Sequence, residues 1–477
     1  MKLPHSCKRE EGKGITQKVY DTIFQDEKIA IIGYSGRAIN YTAKALGMKT
    51  LVVDCFADMD LRRSADEFVY VNLDEYRSSE GNLDNSAAFY LCKETQSQIQ
   101  KIQHQDYIIL GSSFENDLAA WTQVSKVKNY VGNTPSSANK TRNPSSLFPF
   151  LTKHEINYPR SVIFRETEKS LDFQVYSNIE SSSLKSLKIQ EMTENSIYQT
   201  LINHITPPFV LKSSKSGGGF GIYLIQSEQE FIERFESLKN FRQPPFLAQE
   251  YIQGTAMSCS FLANGSHAKV HTISEQIIGD TRFGCSGKFT YCGNIMNEEI
   301  SDPLHENNAE ITPLLEKIAQ GLTEFGELKG SNGIDFVLQQ RGNQKLLYFI
   351  ELNPRFQGTI DLVLASTGEN LVYHHIKSSK HRELPVDVGF PDNKTYLKII
   401  YYSPLDFHIL VDLQGLDLRD VPLIGSFIPE SGPICSNIVI GTDISDAYAK
   451  ALEDQDLMIR VLGLKSRILD KKEISNQ

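Results

Sequence analysis

The stretch Tyr-Phe-Ile-Glu-Leu-Asn-Pro-Arg-Phe-Gln at positions 348–357 alternates apolar residues with Glu351, Asn353 and Arg355. In a β-strand, alternate side chains point to one face, so a carboxylate, an amide and a guanidinium share one side. Carboxylate and amide oxygens are ligands that a hard cation such as Mg²⁺ takes, and a guanidinium can hold phosphate or carboxylate. Pro354 cannot donate a hydrogen bond to a sheet, so the strand is expected to end there and to deliver these side chains to a site.

A glycine-rich loop lies upstream between two apolar segments. Residues 209–212 predict a strand that ends in Lys212, and residues 222–225 predict a second strand after the loop Ser-Ser-Lys-Ser-Gly-Gly-Gly-Phe-Gly. Glycine lets backbone N–H groups approach phosphate oxygens, and a loop between strands can close as a lid. The candidate phosphate-binding residues of this loop are Ser216, Gly217, Gly218 and Gly219. A flexible surface hairpin is the alternative interpretation of the loop taken by itself.

Several separated motifs occur in an order that is typical of one superfamily. They are Lys140, Lys212, the glycine loop, Gln-Glu-Tyr-Ile at 249–252, Asp335, and Glu351 with Asn353. In this order they resemble the ATP-grasp superfamily, the carboxylate-amine ligases and carboxylases that hold ATP between two α+β subdomains. The resemblance covers roughly residues 130–368. The segments 31–38 and 53–60 further resemble the predicted ATP-dependent carboligases related to biotin carboxylase.

The resemblance implies which residues hold the nucleotide. Lys140 and Lys212 match the two lysines that reach the ATP phosphates, together with the glycine loop. Glu250, Tyr251 and Ile252 match the segment between the subdomains, whose backbone groups read the adenine edge.

The resemblance also implies a metal site and a catalytic pair. Asp335 and Glu351 match the acids that bridge Mg²⁺ (or Mn²⁺), and Asn353 matches a ligand of a second ion. Arg355 matches the arginine poised near the γ-phosphate or an acyl-phosphate, so that Arg355 and Lys212 are the expected catalytic residues.

The chemistry of the superfamily explains this set of charges. A carboxylate is a poor electrophile, so it first attacks the γ-phosphorus to give an acyl-phosphate, a step catalysed chiefly by positioning and charge neutralisation. An amine then displaces phosphate, and ADP is released. A kinase that stops at phosphoryl transfer and a non-catalytic ATP-binding regulatory module are the alternatives. Loss of a metal acid or of both lysines would favour the module, and neither is lost here.

Two departures from the family pattern limit what can be inferred. Gly254 is followed by residues 255–258, Thr-Ala-Met-Ser, where many members carry an acid that holds the ribose, and Ser258 is a weak substitute. Thr359 stands where biotin carboxylase carries the acid of its bicarbonate site. Bicarbonate is therefore not the expected substrate.

The pattern along the chain predicts a mixture of α/β and α+β domains. A poorly ordered segment is expected at 1–26, a Rossmann-like pre-ATP-grasp domain at 27–135, an ATP-grasp domain of two α+β subdomains at 136–394 with its lid at about 155–254, and a small β-rich C-terminal domain at 395–477. Gly33 and Gly36 form only part of a dinucleotide fingerprint, so the turn at 34–37 is expected to face a substrate and not NAD or FAD.

Composition excludes some classes of partner. The net charge of −10 over 477 residues argues against nucleic acid or an anionic membrane as the main partner. An N-terminus without an apolar core, and no apolar run of spanning length, predict a cytoplasmic protein. The expected partners are a small-molecule carboxylate and an amine, with a homodimer as a candidate assembly.

Cysteines and histidines show no familiar metal motif. Cys285 and Cys292 are expected to be ordinary thiols of a substrate loop. His267 and His271 have the spacing His-x-x-x-His; a solvated strand face is the expected interpretation of this pair and a metal site the alternative. The pair at 374–375 is expected on the surface of a helix.

Overall fold

The computed structural model describes residues 24–73, 75, 86–166, 170–178, 181–183, 187–188, 193–213, 218–219, 221–241, 245–387, 389–413 and 415–464. Most of the segment 1–26, which was expected to be poorly ordered, lies outside these residues.

The N-terminal layer is a parallel sheet with the strand order β3-β2-β1-β4. Its strands are β1 (Lys28–Gly33), β2 (Lys49–Asp54), β3 (Glu67–Tyr70) and β4 (Tyr107–Leu110). The helices of this layer are α1 (Arg37–Lys44), α2 (Met59–Ser64), α3 (Ala87–Ser97), α4 (Ile99–Ile102) and α5 (Leu118–Val124). β1 and β2 are buried after their first residues, as parallel strands between helices are. The Rossmann-like alternation predicted from the sequence is confirmed.

The second layer is an antiparallel sheet with helices on one face. Helices α6 (Pro135–Arg142) and α7 (Pro144–Lys153) lead into it. Its strands are β5 (Ser161–Glu166), β6 (Ser170–Tyr176), β7 (Ser181–Ser183), β8 (Leu187–Lys188), β9 (Phe209–Ser213), β10 (Ile222–Ile225) and β11 (Phe246–Glu250), in the order β10-β9-β11-β5-β6-β7 with β8 beside β6. Helices α8 (Glu194–Ile202) and α9 (Glu228–Phe241) cover a phenylalanine-rich core. The glycine loop joins β9 to β10, which confirms the predicted arrangement of strand, loop and strand.

The third layer is a larger sheet that carries the stretch 348–357. Its strands are β12 (Thr255–Asn264), β13 (Ala268–Ile278), β14 (Tyr291–Met296), β15 (Lys329–Arg341), β16 (Gln344–Asn353), β17 (Thr395–Tyr402) and β20 (Pro433–Gly441), in the order β16-β15-β12-β13-β14-β17-β20. β16 ends at Asn353, directly before Pro354, as the sequence predicted.

Helices pack on both faces of the large sheet. A short α10 (Glu298–Ser301) precedes the amphipathic helix α11 (Thr312–Gly326), which buries Leu315, Ile318 and Leu322 against one face. The opposite face is covered by α12 (Ile360–Thr367) and α13 (Leu371–Ile376), whose apolar residues share a core with α1. Through this shared core the N-terminal layer rests on the face of the sheet that also carries the candidate site.

The segment after residue 394 extends the large sheet. β17 pairs with β14 on one side and with β20 on the other. The remaining strands β18 (Phe407–His408) and β19 (Phe427–Ile428) pair with each other, and α14 (Ile444–Val461) packs on β17 and β20. None of the helices in the described part of the chain has the length and apolar character that a membrane crossing requires.

Candidate active site

A cavity of about 780 Å³ lies between the antiparallel sheet and the large sheet. Its walls come from β9 and β11 on one side and from β12, β13, β15 and β16 on the other. A volume of this order is typical of sites for cofactors and small molecules. Its two walls therefore enclose a space large enough for a nucleotide.

Asp335 and Glu351 form the acidic floor of the cavity. The two residues stand directly opposite each other on β15 and β16, next to a bulge in the pairing of these strands. Asp335 accepts hydrogen bonds from the amide nitrogens of Asn353 at 2.8 Å, Gln276 at 3.0 Å and Gln357 at 3.3 Å. Burial and the neighbouring Glu351 raise the pKa of Asp335 to about 7. Two carboxyls side by side with neutral donors form a set that an added cation would stabilise.

Lys212 and Arg355 bring positive charge to this floor. Lys212 lies on β9, at the register position opposite Leu247, and lines the cavity. Burial lowers the pKa of Lys212, and the nearby Glu351 partly offsets this effect. Arg355 follows the end of β16, and its Nε donates to Glu115 Oε1 at 2.6 Å. Burial opposes the charge of Arg355, but Glu115 raises its pKa above the usual value.

Glu115 is a site residue that the sequence analysis missed. It lies in the short helical turn Phe114–Asn116, which follows the carboxyl end of β4. Its carboxyl group is buried, yet Arg355 and Arg142 hold its pKa below the usual value. Since ligand sites of parallel sheets lie beyond the carboxyl ends of the strands, an acid at this place was a usable signal.

Lys140 is not among the residues that line the cavity, so the phosphate contact that the resemblance implied for it stays a prediction without support from this geometry. Its side chain is exposed, and its Nζ lies 4.8 Å from the centre of the Phe325 ring. Arg142, two residues further along α6, lines the cavity instead and donates from Nη1 to the carbonyl oxygen of Leu352 at 2.7 Å. Residues two apart on a helix point in nearly opposite directions, so only one of the two can face the cavity.

Glu250, Tyr251 and Ile252 line the end of the cavity where the chain passes from one sheet to the other. The backbone N–H of Glu250 donates to the carbonyl oxygen of Arg160 at 2.8 Å. The ring of Tyr251 lies 5.0 Å from Lys288 Nζ. The three residues therefore lie at one end of the cavity, and the adenine contact that the resemblance implied stays a prediction.

The wall beside this segment supplies an acid from an unexpected strand. Thr255, Ala256 and Ser258 line the cavity without a carboxylate, and the Ser258 hydroxyl is hydrogen-bonded to that of Ser274 at 2.9 Å. Glu275, on the neighbouring strand β13, also lines the cavity, and burial raises its pKa.

Gly218 and Gly219 lie where the antiparallel sheet approaches the large sheet. The carbonyl oxygen of Gly218 accepts from the N–H of Tyr291 at 3.4 Å. Gly219 has φ of +82°, and a Cβ there would lie 1.9 Å from the carbonyl oxygen of Phe289. A side chain at this position would hold the loop away from the large sheet. Ser216 and Gly217 lie outside the described residues.

A second cluster of charges lies beside the cavity and involves the turn at 34–37. Arg37 donates from Nη2 to Asp361 at 2.8 Å and from Nε to Asp420 at 2.6 Å. Lys398 Nζ donates to Asp361 at 2.7 Å and to the carbonyl oxygen of Gly358 at 2.7 Å. Burial raises the pKa of Asp361, but the paired cations Lys398 and Arg37 outweigh burial and lower this pKa below its usual value. The guanidinium of Arg37 is committed to this cluster, and the substrate contact expected of the turn at 34–37 stays a prediction.

Three histidines that were expected on surfaces are buried. His271 on β13 and His375 on α13 are almost fully buried, and His374 on α13 is 9% exposed. His375 accepts from the N–H of Ser331 at Nδ1 and donates from Nε2 to the carbonyl oxygen of Val131. Cys285 and Cys292 are buried too, and burial raises the pKa of Cys285 to about 12, as expected of an unreactive thiol.

Residues 174–359 match the sequence model of the ATP-grasp domain family. An uncharacterized protein of Methanocaldococcus jannaschii is 24% identical over 435 residues, which are 89% of this chain and 92% of that protein. A D-alanine--D-alanine ligase of Petrotoga mobilis is 28% identical over 120 residues, 25% of this chain and 36% of the ligase.

Solved structures resemble nearly the whole chain. An N5-carboxyaminoimidazole ribonucleotide synthetase in complex with ADP has a TM-score of 0.58 at 16% identity, covering 91% of this chain and 97% of its own. An L-amino acid ligase from Bacillus licheniformis has a TM-score of 0.60 at 14% identity, covering 91% and 98%. A biotin carboxylase from Campylobacter jejuni has a TM-score of 0.60 at 15% identity, covering 90% of each chain. At these identities the likeness shows the fold.

Proposed function

We propose, since this chain carries an ATP-grasp domain, that it is an ATP-dependent ligase which activates a small-molecule carboxylate as an acyl-phosphate and joins it to an amine. ADP and phosphate are the other products. The observation that carries the proposal is the pairing of Asp335 with Glu351 on the floor of a cavity that Lys212, Arg142 and Arg355 also line. This arrangement combines a site for a hard cation with three fixed positive charges around one space.

The acidic floor fits Mg²⁺ or Mn²⁺. Asp335 and Glu351 offer carboxylate oxygens, and Asn353 uses its amide nitrogen for Asp335, which leaves its carbonyl oxygen as the atom for a metal. Burial and Glu351 raise the pKa of Asp335 to about 7. A raised pKa is expected of a carboxyl whose negative charge a bound cation would stabilise. When bound, the metal would neutralise the negative charge of the transferring phosphoryl group.

The fixed cations supply the remaining neutralisation. Lys212 and Arg142 both line the cavity near the acids and suit the oxygens of the β- and γ-phosphates. Gly218 and Gly219 would add backbone N–H donors from above, with Ser216 and Gly217 completing the loop. Glu250, Tyr251 and Ile252 would hold the adenine, and Glu275 would supply the ribose acid that residues 255–258 lack.

Arg355 is the proposed contact for the carboxylate substrate. Its Nε donates to Glu115 and its Nη1 to the carbonyl oxygen of Phe356, so the guanidinium, with Nη2, is oriented before substrate arrives. A carboxylate oxygen held there attacks the γ-phosphorus, and the bond between this phosphorus and the bridging oxygen breaks as ADP leaves. The amine nitrogen then attacks the acyl carbon, phosphate departs with the electrons of the C–O bond, and the amine loses a proton to solvent.

Positional isotope exchange in labelled ATP tests the order of these steps. Exchange should require a carboxylate and Mg²⁺ but no amine, and candidate acids can first be found by screening metabolites for phosphate release. Arg355→Ala should suppress exchange more than it weakens ATP binding. Exchange that requires the amine contradicts the order of steps. Phosphorylation of a hydroxyl compound without amide formation would establish a kinase, and ATP binding without turnover for any acid would establish a regulatory module.

The class of substrate, the cellular location and the assembly of the protein stay predictions. The acidic net charge of −10 favours small-molecule substrates over nucleic acid or an anionic membrane. A cytoplasmic location and a homodimeric assembly are the setting we expect for such a ligase.

A further inference from the structure

His271, Glu369 and His374 meet in a cluster away from the acidic floor of the cavity. His271 belongs to β13, Glu369 lies in the turn between α12 and α13, and His374 belongs to α13. One ligand atom from each of the three residues lies within 4.8 Å of the other two. His374 Nε2 and Glu369 Oε2 are 2.7 Å apart, and the ring centres of His271 and His374 are 5.6 Å apart.

His271 is the unusual member of the cluster. The residue is 1% exposed, and neither of its ring nitrogens has a hydrogen-bond partner among the described residues. A buried polar group without a partner is costly, and proteins rarely retain one without a reason. Burial, and then the nearby His374, lower the pKa of His271 to about 3. At neutral pH its ring is therefore uncharged, and one nitrogen carries a lone pair.

A β-bulge aims this histidine at the helix. In the pairing of β13 with β12, Thr272 faces Ser260 and Val270 faces Phe261, so His271 is the extra residue of the bulge. Val270 packs into the core under α11, whereas the ring of His271 contacts His374 on the opposite face. Bulges re-aim single side chains and are frequent beside functional sites.

We propose that His271, Glu369 and His374 form a binding site for a transition-metal ion of the zinc class. Two imidazole nitrogens and one carboxylate oxygen form a donor set that zinc takes with a water molecule as the fourth ligand. Imidazole is a poor ligand for Mg²⁺, so this site is chemically distinct from the all-oxygen floor at Asp335. The side chains of Glu369 and His374 are 24% and 11% exposed, which gives the ion an entry path and room for the water.

A metal at this place would hold α13 against the large sheet. The next residue, His375, already bonds α13 to Ser331 on β15 and to Val131 of the N-terminal layer. At the start of the helix, Asn370 caps it and donates to the carbonyl oxygen of Thr42 on α1. α13 thus connects several parts of the molecule, and the ion would stabilise that connection without touching the ATP cavity.

Zinc binding by the whole protein tests the site. The purified chain is treated with a chelator, mixed with Zn²⁺ without nucleotide and passed through a desalting column, and its metal content is measured by mass spectrometry. Visible absorption after Co²⁺ substitution reports histidine coordination, and thermal unfolding reports stabilisation. We expect one Zn²⁺ per chain and an affinity that falls on the order of 10–100-fold or more in Glu369→Gln and in His374→Gln.

Matched controls separate this site from others. His267→Gln changes an exposed histidine of the same hairpin, Glu351→Gln weakens the acidic floor, and Cys285→Ser removes a thiol; all three should retain the zinc. Zinc that is lost from one of these controls, that persists unchanged in Glu369→Gln, or that the wild-type chain never binds overturns the proposal. If His374→Gln does not fold, Glu369→Gln decides, because its side chain lies in a turn and is partly exposed.

Discussion

Asp335 and Asp361 are both deep carboxyls, and their partners make them opposite in character. Asp361 accepts from Lys398 at 2.7 Å and from Arg37 at 2.8 Å, with Arg419 at 3.7 Å. Asp335 accepts only from neutral amides, and its near neighbour is another acid. Burial opposes the charge of both, yet the pKa of Asp361 is lowered while that of Asp335 is raised to about 7.

The difference in partners separates a structural charge cluster around Asp361 from a candidate metal site around Asp335. The protein itself supplies the cations of Asp361, so this cluster joins α1, α12 and β17 and needs nothing from outside. Asp335 has no hydrogen-bonded cation among the described residues, and burial and Glu351 raise its pKa to about 7, although Arg355 and Arg142 lower it from a distance. A further cation would complete its compensation, which is what a metal site requires. Whether a buried acid already has its cation therefore indicates its role better than burial alone.

The largest expected effect is on the free energy of unfolding and comes from removing the charge of Asp361. Asp361→Asn would leave Arg37 and Lys398 buried without their shared carboxylate, which typically costs about 3–5 kcal/mol. Denaturant unfolding of the purified variant measures this loss in the free energy of unfolding. Asp456→Asn is the control, since Asp456 pairs with Arg460 on an exposed face and should cost less than about 1 kcal/mol. Equal stability of the two variants would contradict a structural role for the Asp361 cluster.

Glu351→Gln should instead spare the fold and remove catalysis. Loss of a metal acid or of one charge stabiliser typically lowers the rate on the order of 10²–10³-fold, and Lys212→Ala should act similarly. ATP turnover at saturating nucleotide and the thermal unfolding temperature are the paired measurements. Normal turnover by Glu351→Gln would show that the metal assignment is wrong.

Asp54 is a third buried acid to set beside Asp361 and Asp335, because it accepts backbone hydrogen bonds but has no paired cation in the described part of the chain. Its carboxylate accepts from the backbone N–H groups of Gly36, Phe56 and Ala57, yet burial raises its pKa from 3.8 to about 6. The folded state therefore holds this proton more tightly than the unfolded state does. As pH rises from about 4 to about 6 the carboxyl ionises at a growing cost to the fold, and above pH 6 that cost stays constant, on the order of 3 kcal/mol.

The pH dependence of Asp54→Asn isolates this effect. An amide hydrogen faces one of the backbone donors in the variant, which adds a loss that does not change with pH. The free energy of unfolding of the variant relative to the wild type should therefore shift in favour of the variant between pH 4 and pH 7, by up to about 3 kcal/mol. A difference that is flat with pH, like that of Asp456→Asn, would show that Asp54 ionises normally.

The sequence was informative where a short-range rule sets the geometry. Strand alternation and Pro354 were sufficient to predict that Glu351, Asn353 and Arg355 reach one cavity, and glycine content predicted the loop between β9 and β10. The burial of His271 depends on a β-bulge, which leaves no mark in the residue pattern. The pairing of β17 with β14 joins distant segments, so no local pattern could reveal that the sheet continues past residue 394.

The orientation of α6 is the clearest case in which local pattern failed. Its sequence Pro-Ser-Ser-Ala-Asn-Lys-Thr-Arg has almost no apolar side, so contacts with α11 and β16, and not periodicity, decide which cation faces the cavity. Lys140 was the expected residue, and Arg142 is the one that lines the site. Lys140 and Arg142 therefore test the contrast between Asp335 and Asp361 on the smallest scale, because Arg142 is a cation that lies near Asp335 without a hydrogen bond to it.

Arg142→Ala and Lys140→Ala should differ although they stand two residues apart. Arg142 is held by the carbonyl oxygen of Leu352, and its loss removes one of several cations near the phosphates, so we expect a decrease in kcat/KM on the order of 10–100-fold. Lys140→Ala removes only a contact between an exposed ammonium and the Phe325 ring, worth about 0.5–1 kcal/mol of stability, and should leave ATP turnover unchanged. Steady-state kinetics of both variants with ATP as the varied substrate provide the measurement. If Lys140→Ala loses ATP turnover while Arg142→Ala keeps it, α6 must turn when the nucleotide binds. Lys140, and not Arg142, would then be the residue that contacts the phosphates.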